Sequence, residues 1–113
     1  MTVYDTNHRR DPFKHITTEE LMELRGYRCE ARGPQCTGRG CQAHHGLRRR
    51  DTRFQTVLNV LINYQLVCEV CHTGTGYADS KENHEKFLQM QRDRYGDNVD
   101  TFFEMCEMAG MYL

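Results

Sequence analysis

Cys68-Glu69-Val70-Cys71 is a CxxC knuckle, a tight turn from which two thiolates can bind one ion. A closed tetrahedral site needs two further ligands. Cys29 and Cys36, on a turn rich in Gly and Pro, are the natural second pair. Cys41 is a rival for either place, and Cys106 falls on a later helical segment as a small core residue. A lone CxxC also serves redox chemistry, but no βαβ pattern surrounds this one. Outside the cysteines stand the adjacent His44 and His45, and His72 directly after Cys71. On a strand, neighbouring side chains point to opposite faces, so one imidazole can face an ion while the other reaches a substrate from a different angle. A pKa of about 6.5 makes a neutral imidazole suited to accepting a proton at cellular pH.

The 113 residues carry a net charge of −1, but the charge is unevenly spread. Arg25, Arg28, Arg32, Arg39, Arg48, Arg49, Arg50 and Arg53 stand against only Glu30 and Asp51 over residues 25–53, a local +6. A centre made positive by arginine alone, between acidic ends, is the footprint of a phosphate-binding face. The alternative is a solvated loop whose charge the tail offsets. Arg48, Arg49, Arg50 and Arg53 follow the histidine pair and are the candidate phosphate contacts.

The elements that must position these residues are short. The hydrophobic fraction is 38% and the mean hydropathy −0.79, low for a domain of this size, so a metal fastening is expected. No stretch approaches the ~20 apolar residues of a membrane helix, and no apolar signal core opens the chain. The expectation is a cytoplasmic chain with reduced cysteines. Residues 1–16 read as a loose arm. Thr17 with Glu20 forms a capping box for a helix carrying Leu21, Met22 and Leu24, which Gly26 stops. Gln42 to Leu47 suggests a strand bearing the histidines, and Leu66-Val67 a strand running into Cys68. Lys81 to Tyr95 fits a helix with Phe87, Met90 and Tyr95 inward. Asp97-Asn98 opens a last helix with Phe102, Met105, Cys106 and Ala109 at helical spacing.

Taken together, Cys29-x6-Cys36, His44-His45, Asn63 and Cys68-x2-Cys71-His72 resemble an HNH (ββα-metal) endonuclease with embedded zinc knuckles. CEARGPQCTG is similar to small phage-borne members, and NYQLVCEVCH resembles the family's asparagine-to-histidine signature. The resemblance spans roughly residues 20–90. It implies that His44 and His72 hold a catalytic divalent ion, Mg²⁺ or else Mn²⁺ or Ni²⁺, and that His45 is the general base. Asn63 would fix the strand-loop geometry and orient that base, and Cys29, Cys36, Cys68 and Cys71 would hold a structural Zn²⁺. The interval from His45 to Asn63 is longer than in short members and lacks their Gly-rich loop. Asn59 is therefore a rival for the middle position. Many members carry a further ligand where this chain has Gly76. Asp79 and His84 are the substitutes, and His84 is preferred.

The expected fold is α+β: a small ββα-metal domain with a structural zinc and flanking helices. Its division is an arm over 1–16, a nuclease domain over 17–95 and a C-terminal helix over 96–113. The expected activity is hydrolysis of DNA, double-stranded, leaving 5′-phosphate and 3′-hydroxyl ends. Two rivals remain. One is a non-catalytic zinc-knuckle module that binds DNA or protein. The other is a phage-encoded partner of a phage or host protein, docking through the acidic C-terminal helix.

Overall fold

The computed structural model describes residues 10–48 and 52–113. It is a small α+β structure with one two-stranded sheet. Helix α1 (Thr18–Leu24) starts at the capping box: Thr17 Oγ1 accepts from Glu20 N at 3.1 Å, and Glu20 Oε1 accepts from Thr17 N at 3.0 Å. The Arg10 guanidinium, and then Thr17, hold the Glu20 carboxyl down at about 2. Gly26, at φ +67°, turns the chain out of the helix. Of its apolar residues only Leu21 is fully buried.

Strand β1 (Gln42–His45) pairs antiparallel with β2 (Tyr64–Val67). The register sets Gln42 against Val67, Ala43 against Leu66, His44 against Gln65 and His45 against Tyr64. All four residues of β2 are buried. Its other edge is closed by one residue: Glu30 N donates to Leu66 O, and Leu66 N donates to Glu30 Oε1, each at 2.8 Å. Between the strands lie a single helical turn, α2 (Gln55–Leu58), and a 3₁₀ turn, Leu61–Asn63.

After β2 the chain makes one π-helical turn, Val70–Gly74, then a 3₁₀ turn, Tyr77–Asp79. Helix α3 (Lys81–Tyr95) follows with the expected bounds, and α4 (Asn98–Met108) folds back against it. The inner face of α3 is Asn83, Phe87, Gln91 and Tyr95, half of it polar, while Met90 is only half-buried. Asn83 and Gln65 exchange amide hydrogen bonds at 2.8 and 3.1 Å, and Gln91 Nε2 donates to Ile62 O at 2.7 Å. Apolar periodicity cannot reveal such contacts. Leu58, Leu61, Ile62, Leu66, Phe102 and Cys106 lie at the centre of the main core; Val67, Cys29, Cys68 and Cys71 form a smaller one.

The arm expected to be loose is held over its described part. Pro12 O and Lys14 O accept from Ile62 N and Leu61 N at 2.8 Å, Phe13 packs on the core, and Ile16 is buried within it. Of the described residues, none belongs to a helix long and apolar enough to cross a membrane.

Gly46 lets α3 approach the end of β1. A Cβ there would lie 2.1 Å from Phe87 Cε2, and the Phe87 ring is buried. Gly46→Ala should therefore cost about 1–3 kcal/mol through forced repacking. Urea denaturation of the two proteins measures it; equal midpoints would mean the helix yields without strain.

Candidate functional site

The turn between α1 and β1 brings Cys29 and Cys36 to the knuckle that leaves β2. One ligand atom from each of Cys29, Cys36, Cys68 and Cys71 lies within 4.8 Å of the others, close enough to hold a metal ion. Cys36 Sγ and Cys68 Sγ are 3.8 Å apart. Four sulfurs at about 2.3 Å around one ion have edges of about 3.8 Å, so the spacing fits a tetrahedral site. Cys71 N donates to Cys68 Sγ and Gly38 N to Cys36 Sγ, both at 3.3 Å. Burial pushes the Cys68 thiol up, but hydrogen bonds from Cys71 and Thr37 outweigh it and bring it to about 6. Burial, with Cys68 and Cys29 alongside, pushes Cys71 up to about 12. Only a cation lets all four ionise together. Cys41 is exposed and outside this group, and Cys106 is buried in the main core.

The three histidines line one cleft of about 400 Å³, together with Leu47, Arg48, Gln55 and Leu58. His44, 4% exposed, points inward from β1, its ring 5.4 Å from that of His72 and nearly perpendicular to it. Burial holds the His44 imidazole down at about 4; Asp79 opposes this, and His72, Arg48 and His45 add to it. His44 is therefore neutral at pH 7, as a ligand must be. Its buried Nδ1 has no hydrogen-bond partner among the described residues, and its Nε2 is 3.7 Å from Asp79 Oδ1. His72 Nδ1 is 2.5 Å from Gln42 Oε1. The amide oxygen can only accept, so the Nδ1 carries the proton and Nε2 keeps its lone pair.

His45 is half-buried against the Tyr64 ring, and its Nε2 donates to Asn59 Oδ1 at 2.7 Å. That leaves the lone pair on Nδ1. Asn59 O in turn faces His15 Nδ1 at 3.2 Å. Asn63 does not hydrogen-bond His45. Its buried amide accepts from Leu47 N at 2.8 Å and donates to Leu47 O and Leu58 O at 3.0 Å, tying the ends of the 47–58 loop together. The two tasks expected of Asn63 are thus divided: it fixes the loop, while Asn59 holds the imidazole. His15 and Gln42 were not singled out by sequence, because neither belongs to a motif and each meets its partner only through the fold.

A second hollow of about 490 Å³ adjoins the first, walled by His44, Gly46, Arg48, Asp79, Lys81 and His84 among others. His84 stands on its α3 wall, but the carboxylate beside His44 is that of Asp79. Among the described residues only the four cysteines gather closely enough to form a group of three or more metal ligands; His44 and His72 do not, with either Asp79 or His84. Arg48 edges both hollows and pairs with Asp79 at 3.3 Å. Arg53 is exposed, with its guanidinium 5.3 Å from the centre of the Phe54 ring. Arg49 and Arg50 lie outside the described residues.

Elemental analysis of protein dialysed without chelator should find one tightly held metal ion per chain. Cys68→Ser should lose it, whereas Cys41→Ser should keep it. Retention by the first variant or loss by the second would reassign the ligands. Comparison of the chain with protein-family models, with curated proteins and with solved structures returns no match.

Proposed function

We propose that this chain is a metal-dependent endonuclease of the HNH type, cutting double-stranded DNA, with a structural Zn²⁺ on Cys29, Cys36, Cys68 and Cys71. The reading is carried by one observation. A neutral, buried His44, an oriented His72 and a His45 whose Nε2 is held by Asn59 share one cleft beside a four-sulfur cluster. A zinc held by four thiolates has no open position, so its part is to fasten the fold.

The reacting groups are then the imidazoles. His45 Nδ1 takes a proton from water as the water oxygen attacks phosphorus. The bond to the 3′ oxygen breaks, the 3′ oxygen takes a proton from solvent, and 5′-phosphate and 3′-hydroxyl ends remain. Asn59 Oδ1 accepts from Nε2–H, so it keeps the tautomer and favours the imidazolium that forms. His44 and His72 would hold the divalent ion, with Asp79, already 3.7 Å from His44, as the third protein group in place of His84. Mg²⁺ or Mn²⁺ bound there would supply positive charge at the scissile phosphate and the leaving oxygen. Arg48, at the rim of the cleft, would meet a flanking phosphate.

Supercoiled plasmid should be relaxed or linearised with Mg²⁺ or Mn²⁺ and left intact in EDTA. His45→Ala should lower the rate on the order of 10²–10⁴-fold, with metal content and thermal midpoint unchanged. Because His44 and His72 converge with neither Asp79 nor His84 into a three-ligand group among the described residues, a non-catalytic zinc-knuckle module is the second reading. Binding without any cleavage would select it.

Asp79→Ala should raise the Mg²⁺ concentration for half-maximal cleavage, while His84→Ala should leave it unchanged. The reverse pattern would restore His84 as the ligand.

A further inference from the structure

The turn between α1 and β1 carries a charge pattern that neither the cleft nor the cysteines use. Arg28 and Arg39 face each other in an antiparallel bridge, closed by Cys29 N to Gly38 O at 3.1 Å and Gly40 N to Tyr27 O at 2.9 Å. Directly opposed residues of such a bridge share a face, and like charges there are destabilising. Arg32 adds a third cation on the same turn, held in the left-handed region at φ 52°. All three arginines are exposed, and the Arg39 guanidinium lies 5.5 Å from the centre of the Tyr27 ring, itself 41% exposed.

Among the described residues no carboxylate neutralises them. The only carboxylate in residues 27–41 is Glu30, whose side chain is 6% exposed and paired with Arg25 and Arg94. Among the described residues no carboxylate pairs with Arg28, Arg32 or Arg39, the exposed Glu69 of the knuckle included. A chain whose net charge is −1 has carboxylates to spare for such a surface. Guanidiniums on one backbone turn with no counter-charge among the described residues suit an external polyanion, and the arginine fork suits phosphate in two-point contact.

We infer that the cysteine-bearing turn is a second nucleic-acid contact, in which Arg28, Arg32 and Arg39 bind backbone phosphates of a DNA duplex away from the cut. The identity of the polyanion rests on the nuclease reading; the need for an anionic partner does not. The surface serves affinity and takes no part in the chemical step.

The test is binding of a fluorescent duplex by the metal-loaded protein without added divalent ion, followed by anisotropy across a salt series. A phosphate contact contributes a slope of about −0.9 in log K against log salt, which is about five-fold in affinity between 1 M and 0.15 M. Arg28→Ala with Arg39→Ala should flatten the slope by about 1.8 and weaken binding roughly 30-fold at 0.15 M. The plasmid-cleavage rate at saturating DNA should not change. Arg28→Lys with Arg39→Lys should restore most of the slope. If the alanine pair loses its metal, Arg32→Ala reads the same surface alone, with a slope change of about 0.9 expected. Unchanged slope and affinity would overturn the inference, as would a patch that binds anionic vesicles or an acidic peptide while duplex binding ignores the substitutions. Patch-dependent binding without cleavage would sink the nuclease reading and leave this surface standing. Cleavage with patch-independent binding would do the opposite.

Discussion

A two-stranded sheet leaves both of its edges unpaired, and here the inner strand is buried over its whole length. Buried backbone groups on that edge must find partners. Glu30 supplies them: its N–H and its carboxylate take up both backbone groups of Leu66, as a third strand would. The remaining charge is met by Arg25, 3.6 Å away from the end of α1, and by Arg94 from α3. One carboxylate thus joins α1, the cysteine turn, β2 and α3. Removing one partner from a buried pair of this kind costs about 3–5 kcal/mol, a large part of what a small domain has. The position of β2 sets that of β1, and β1 carries His44 and His45.

The same economy runs through the interior. Asn63, Gln65, Asn83 and Gln91 are all buried, and each amide meets backbone or another amide. They stand where apolar packing alone could not serve, because one- and two-turn helices and irregular connections expose many backbone groups. Leu47 and Leu58 are both held to Asn63, which fixes the chain on either side of the connection. Gln65 lies beside His44 in the register and anchors the strand to α3. The cleft is therefore shaped by polar contacts, which specify geometry more narrowly than volume filling does.

This explains which features could be read from sequence and which could not. The capping box at Thr17 and Glu20, the span of α3 and the pairing of Cys29 and Cys36 with Cys68 and Cys71 depend on local rules or on ligand spacing, and these were legible. The inward face of α3 was not, since Asn83 and Gln91 look like solvent residues until Gln65 and Ile62 O meet them. The docking of residues 10–16 depends on backbone partners at Leu61 and Ile62, more than forty positions away. Asn59 and Asn63 are both asparagines at plausible spacing, and only the folded loop distinguishes a clamp on Leu47 from a partner of His45.

The cleft and the sulfur cluster are mechanically one device. Cys71 and His72 are successive residues of a single π-helical turn, and His72 N is bound to Cys68 O at 3.0 Å. The turn that delivers Cys71 to the other sulfurs therefore also sets the height and direction of the next imidazole. Gln42, which holds His72 Nδ1, follows Cys41, whose N–H is bound to Val67 O at the mouth of the knuckle. His72 lies on the π turn and Gln42 on β1, so the knuckle and the sheet together fix the His72 ring. His44 is buried beside both His72 and Asp79. An ion binding the four sulfurs would thus constrain His72 without touching it, and the spacing of His72 directly after Cys71 is what makes that coupling short.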